Sequence, residues 1–113
     1  MDRQKLIDAG IDYDSGVERL MGNTEMYERF LQMFLDDDSF KNLDAAMQSQ
    51  NYQEAFLQAH TLKGVAGNLS MEKLYQNMVL FVDMLRNGAD IPGAVKFYPE
   101  IKKEYEDTIA AIC

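Results

Sequence analysis

The chain has 113 residues, 47% of them hydrophobic, including six tyrosines, six phenylalanines and eight methionines. That is ample for one core and too short for a core plus a separate catalytic module. Nineteen acidic residues outnumber eleven basic ones, and a formal charge of -8 repels nucleic acid and anionic lipid at long range. The single cysteine, Cys113, excludes an intrachain disulfide, and no apolar run approaches the roughly 18 residues of a spanning helix. The expectation is a cytoplasmic monomer of one domain, residues 1–113, with neither nucleic acid nor membrane as a partner.

Residues 1–10 are polar, with charges at Asp2, Arg3, Lys5 and Asp8, and are expected to form a less ordered lead. Ser15 followed by Glu18 has capping-box spacing and predicts a short helix over Val17–Met21, closed by Gly22. Thr24 is the candidate cap of the next. From Met26, apolar residues at Phe30, Met33, Phe40 and Met47 recur at helical intervals, with Phe34 and Leu43 beside them. They predict one long helix to about Ser49, bent at Asp36-Asp37-Asp38-Ser39.

Asn51 with Glu54 repeats the cap signal and opens a helix through Asn68, with Tyr52, Ala55, Ala59, Leu62, Ala66 and Leu69 as its apolar stripe. Ser70 is the expected cap of a fourth helix, striped by Met71, Leu74, Tyr75, Met78, Phe81, Val82 and Leu85 and stopped at Asn87-Gly88. Asp90 and Pro92 start the last, in which Pro99 should produce a kink or mark where the regular part begins. Glu100, Lys102, Lys103, Glu104, Glu106 and Asp107 read as an exposed mixed-charge surface there, and Met33, Met47, Met71 and Met78 as core. With no strand-like alternation, the fold class is all-α: an antiparallel four-helix bundle with a short additional N-terminal helix.

His60 is the one histidine. At about 100° per residue, Gln53, Phe56, Lys63, Gly64 and Gly67 fall within roughly 60° of it, whereas the apolar stripe is centred some 130° away. His60 therefore faces away from the core. Two glycines inside a helix cost about 1 kcal/mol each relative to alanine, so Gly64 and Gly67 need a reason other than helix stability. Bare backbone beside the imidazole lets a bulky group or a partner's loop approach. A phosphoryl group on the ring carries nearly two negative charges, and Lys63, one turn on, supplies a compensating cation. The labile phosphorus–nitrogen bond suits a waypoint in a transfer.

His60-x-Leu62-Lys63-Gly64-x-x-Gly67 in a helical bundle resembles the signature of histidine-phosphotransfer (Hpt) domains of phosphorelays. The likeness runs from about Ile11 through Ile112. It implies that His60 is the phosphoacceptor, that Lys63 stabilises the phosphoryl oxygens, and that Gly64 and Gly67 leave room for a receiver domain. The implied partners are a response-regulator receiver domain and a sensor histidine kinase, docking on Phe56, Leu57, His60, Lys63 and Gly64. No glycine-rich nucleotide loop is present, so the chain reads as a carrier and not an autonomous kinase. It is expected to hold no metal or cofactor of its own and to rely on the receiver's Mg²⁺.

The pattern departs from the family at one position. Many members place Gln or Glu 22 residues after the histidine to hold its second ring nitrogen, where this chain has Val82. Asp83, Gln76 or water are the substitutes available. The alternative function is a non-phosphorylated helical adaptor that docks or sequesters a receiver domain. The acidic run Asp36–Asp38 reads as a solvated face, because successive helical residues point in different directions.

Overall fold

The chain forms seven helices, five of them capped by a side chain, in a computed structural model that describes all residues, Met1 to Cys113. They are α1 (Arg3–Asp8), α2 (Tyr13–Arg19), α3 (Thr24–Phe34), α4 (Ser39–Gln48), α5 (Tyr52–Asn68), α6 (Glu72–Leu85) and α7 (Ile91–Ile112), with a 3-10 turn at Arg86–Gly88 and no strand. Asp2, Asp12, Asn23, Asn51 and Asp90 each accept a hydrogen bond from the backbone N–H three residues on. Each cap thereby satisfies a donor that has no partner within the helix.

Two expected caps move by this logic. Asp12 caps α2 and leaves Ser15 inside it; Asn23 caps α3 and leaves Thr24 as its first residue. Ser70 caps nothing. It is buried with φ 57°, and its carbonyl accepts the Asp12 N–H at 2.8 Å, so it ties the α5–α6 link to the start of α2.

The expected long second helix is two helices. Leu35, Asp36 and Asp37 donate to carbonyls three residues back, and the Asp37 carboxylate accepts the Ser39 N–H at 2.9 Å. Short acidic side chains compete well with the helical ladder, so the run breaks the helix rather than bending it. The expected irregular lead is α1 instead, because Leu6 is fully buried and Arg3 pairs with Asp14 of α2 at 2.6 Å. Helix α7 begins at Ile91, so Pro99 lies inside it, on the exposed side.

Links of three residues (49–51 and 69–71) and the 3-10 turn reverse the chain between α4, α5, α6 and α7. The four pack as an antiparallel bundle, with α3 beside the C-terminal end of α5. Aromatic stacking fastens α7: Tyr98 lies between Phe40 and Phe81, at centroid distances of 6.3 and 5.9 Å, and donates its hydroxyl proton to Asp44. The bundle measures 41 × 22 × 21 Å.

Burial corrects two further expectations. Met47, Met71 and Met78 are core, but Met33 is 59% exposed, since α3 buries Tyr27, Leu31 and Phe34 and turns Met26, Phe30 and Met33 outward. The row that contains Tyr27 wins because its hydroxyl, once buried, reaches the Leu69 carbonyl at 2.6 Å. In α7, Lys103 and Asp107 pair at the surface as expected, at 3.1 Å, but Glu104 is 1% exposed. Its Oε2 lies 3.2 Å from Lys73 Nζ, and its Oε1 has no hydrogen-bond partner.

Burial raises the Glu104 carboxyl above its ordinary 4.5, and the Lys73 ammonium only partly offsets this. An acid whose folded value is raised binds more protons in the folded state than in the unfolded one. Its contribution to stability is therefore greatest below about pH 4.5 and is lost as pH rises through the folded value. Glu104→Gln should remove that slope and be as stable as the parent or more so at pH 7. Thermal unfolding of both proteins across this range checks it: a variant less stable than the parent at pH 7, by a margin that widens with pH, would overturn the assignment.

Candidate functional site

The buried side of α5 is Ala55, Ala59, Leu62 and Ala66, each at 0% exposure. This narrow, mostly small-residue stripe fixes the rotation of the helix and turns His60 outward. The side-chain hydrogen bonds within α5 are Gln58 to Glu54 and Thr61 to the Leu57 carbonyl; His60 makes none. Its contact is with Phe56, one turn earlier, whose ring centroid is 6.1 Å away at a 44° tilt. Leu57, 53% exposed, widens the apolar ground on the same side.

Lys63 is half-buried and pairs with no carboxylate, unlike Lys73 and Lys103. In a protein of net charge -8, an uncommitted cation one turn from His60 is free to meet an incoming anion.

The two glycines differ. A Cβ at Gly64 would meet nothing within 4 Å, whereas one at Gly67 would stand 3.0 Å from two ring atoms of Tyr75 in α6. The space beside Gly67 is thus filled by the protein itself and lets α6 approach α5. The Gly67 carbonyl also accepts the Arg19 guanidinium at 2.6 Å, which ties α2 to the end of α5. Bare ground beside the imidazole is found at Gly64 alone.

With Gly67 against Tyr75 and Phe56 under Arg86, the antiparallel register of α5 and α6 brings Val82 to the level of His60. Val82 is fully buried and faces the core. Neither polar neighbour compensates: Asp83 is 3.9 Å from Arg86, and Gln76, also exposed, makes no hydrogen bond to His60.

Two features escaped the sequence reading. Arg86, where α6 gives way to the 3-10 turn, lies over the Phe56 ring with its guanidinium carbon 5.1 Å from the centroid. Phe30 and Met33 of α3 also line a shallow cavity of about 270 Å³ with Val65 and Asn68 of α5 and the following Leu69. The apolar run Met26-Phe30-Met33 was visible in the sequence; its outward rotation was not. No group of three or more His, Cys, Asp or Glu side chains converges as a metal site would require, and no helix is long and apolar enough to cross a membrane.

A family model described as "Hpt domain" matches residues 25–111, which take in α3 to α7 except the first residue of α3 and the last of α7, and include His60. No curated protein and no solved structure matches the chain.

The glycines make a paired prediction. Gly64→Ala should stabilise the protein by about 1 kcal/mol, the usual gain in a helix interior. Gly67→Ala should gain less or lose stability, since Tyr75 must shift. Urea unfolding of the two variants checks this, and equal gains would mean that Tyr75 does not depend on the bare backbone.

Proposed function

The chain belongs to the Hpt domain family, which acts in phosphotransfer in two-component signalling, and on that premise we propose that His60 accepts a phosphoryl group from a receiver-domain aspartate or a sensor kinase and passes it to a receiver aspartate. The observation that carries the reading is Gly64. It sits mid-helix at a cost in stability, nothing inside the protein needs its missing side chain, and it lies one turn from the only histidine. The space is of use to something from outside.

In the transfer, the unprotonated nitrogen of His60 attacks phosphorus in line. A nitrogen–phosphorus bond forms as the acyl phosphate's oxygen–phosphorus bond breaks, and the donor aspartate leaves as a carboxylate with the electron pair. Lys63 compensates charge on the phosphoryl oxygens. Mg²⁺ comes with the receiver, whose carboxylates hold it; the chain itself positions the nucleophile and leaves the approach clear. The docking surface centres on Phe56, Leu57 and Gly64, and the outward row of Met26, Phe30 and Met33 extends it.

The adaptor reading draws its support from Val82, which leaves the His60 ring without a hydrogen bond from α6. The two readings part on covalent label. Incubation with a phosphorylated receiver domain should put acid-labile, alkali-stable phosphate on the chain and none on His60→Gln; binding without label would favour the adaptor. Lys63→Ala should slow labelling by about tenfold without abolishing it, as expected for loss of one charge-assisted contact. Gly64→Trp should keep its circular-dichroism helix signal and lose transfer, and normal transfer by that variant would remove Gly64 from the docking surface.

A further inference from the structure

We propose that Arg86 is a second cation of the phosphoryl site, held on the Phe56 ring in the free protein and drawn to the phosphoryl group once His60 carries it. The proposal rests on the phosphocarrier reading and deepens it. Four observations support it. The Phe56 ring is shared: the Arg86 guanidinium carbon lies 5.1 Å from its centroid and the His60 ring 6.1 Å, so cation and imidazole are neighbours of one phenyl group. The guanidinium is loosely held, since its one carboxylate partner, Asp83, is 3.9 Å away, with the Arg86 side chain about half exposed and that of Asp83 more so. Stacking on an exposed aromatic face is worth only about 0.5–1 kcal/mol, so a doubly charged anion nearby competes for it readily.

The third observation is the position of Arg86 in the fold. Helix α6 ends there with φ -58° and ψ 118°, and Asn87 follows at φ 53°, so the residue stands at the helix end beside the first turns of α5. Fourth, Val82 is turned into the core at the level of His60, so α6 offers no polar side chain to the ring from that position. One turn further on, α6 offers a guanidinium, which suits the tetrahedral oxygens of a phosphoryl group rather than a ring nitrogen. Lys63 and Arg86 then bracket the phosphoryl group from the two helices, with Asp83 as the competing anion.

The test uses the full chain and a small-molecule donor, phosphoramidate, so that no partner protein is needed. The imidazole nitrogen attacks phosphorus, the donor's phosphorus–nitrogen bond breaks, and ammonia leaves with the proton it acquires from water. Phosphorus NMR then follows the phosphohistidine signal as a function of pH. A nearby cation favours the dianion, so Arg86→Gln should shift the phosphoryl titration midpoint upward relative to the parent, with Arg86→Lys in between. Asp83→Asn should shift it downward by freeing Arg86. Arg86→Gln should also slow labelling by about threefold, the scale of one exposed charge contact.

Melting temperatures serve as the control, because a residue that merely packs on Phe56 would change them and leave the phosphoryl titration unmoved. A titration in Arg86→Gln identical to that of the parent, with parental phosphohistidine formed, overturns the proposal and spares the phosphocarrier reading. No label on His60 in the parent chain removes that reading, and the Arg86 proposal with it.

Discussion

Burial of Ala55, Ala59, Leu62 and Ala66 fixes how α5 is turned about its axis, and the rest of the site follows from that rotation. Small residues let α4 and α6 come close, so the helix is gripped along a narrow stripe and its opposite face is left free. A stripe made of larger side chains would hold the neighbouring helices further off and open space in the bundle. His60, about 130° round from the stripe, then has one orientation relative to solvent, set by packing rather than by any contact of its own. A rotation of one residue, about 100°, would carry it towards the core.

Both ends of α5 are secured by other elements. At its C-terminal end the Gly67 carbonyl, which also accepts the Ser70 N–H, takes a hydrogen bond from Arg19, the Leu69 carbonyl takes one from Tyr27, and the next carbonyl, Ser70, accepts the Asp12 N–H. The short helices α1 and α2 are thus fastenings of the bundle as much as additions to it. At the N-terminal end Asn51 caps the helix, and Arg86 covers Phe56 from α6. The result is an exposed histidine on a rigid rod with little first-hand support. For the proposed carrier role that is enough, since a carrier needs position and access more than it needs a catalytic apparatus.

Charge has two roles in this protein. At the surface most of the acids lie on exposed residues and give the chain its net charge of -8. Beneath the surface, Glu104 is held against Lys73 where α6 and α7 meet, with one oxygen unpartnered, and it weakens the bundle as it ionises. Against this background Lys63, one turn from His60, and the loosely held Arg86, on the neighbouring Phe56 ring, are the cations proposed to meet a phosphoryl anion.

The periodicity of apolar residues determined the all-α class, the existence of α5, α6 and α7 and the outward face of His60, because each depends on spacing along one helix. Asn51 and Asp90 were legible as caps for the same local reason. What remained depended on contacts between elements. Whether Ser70 or Met71 begins a helix turned on the Asp12 amide that Ser70 accepts. Whether Met33 or Phe34 is core turned on which of two overlapping apolar rows could satisfy a buried tyrosine hydroxyl. Glu104 looked like one of a row of exposed charges until α6 covered it, and the two glycines looked alike until Tyr75 filled the space at one of them. Sequence by itself decided which residues share a helical face, since covalent geometry fixes that; only the tertiary structure decided what lies against each face, since that is set by packing among residues far apart in the chain.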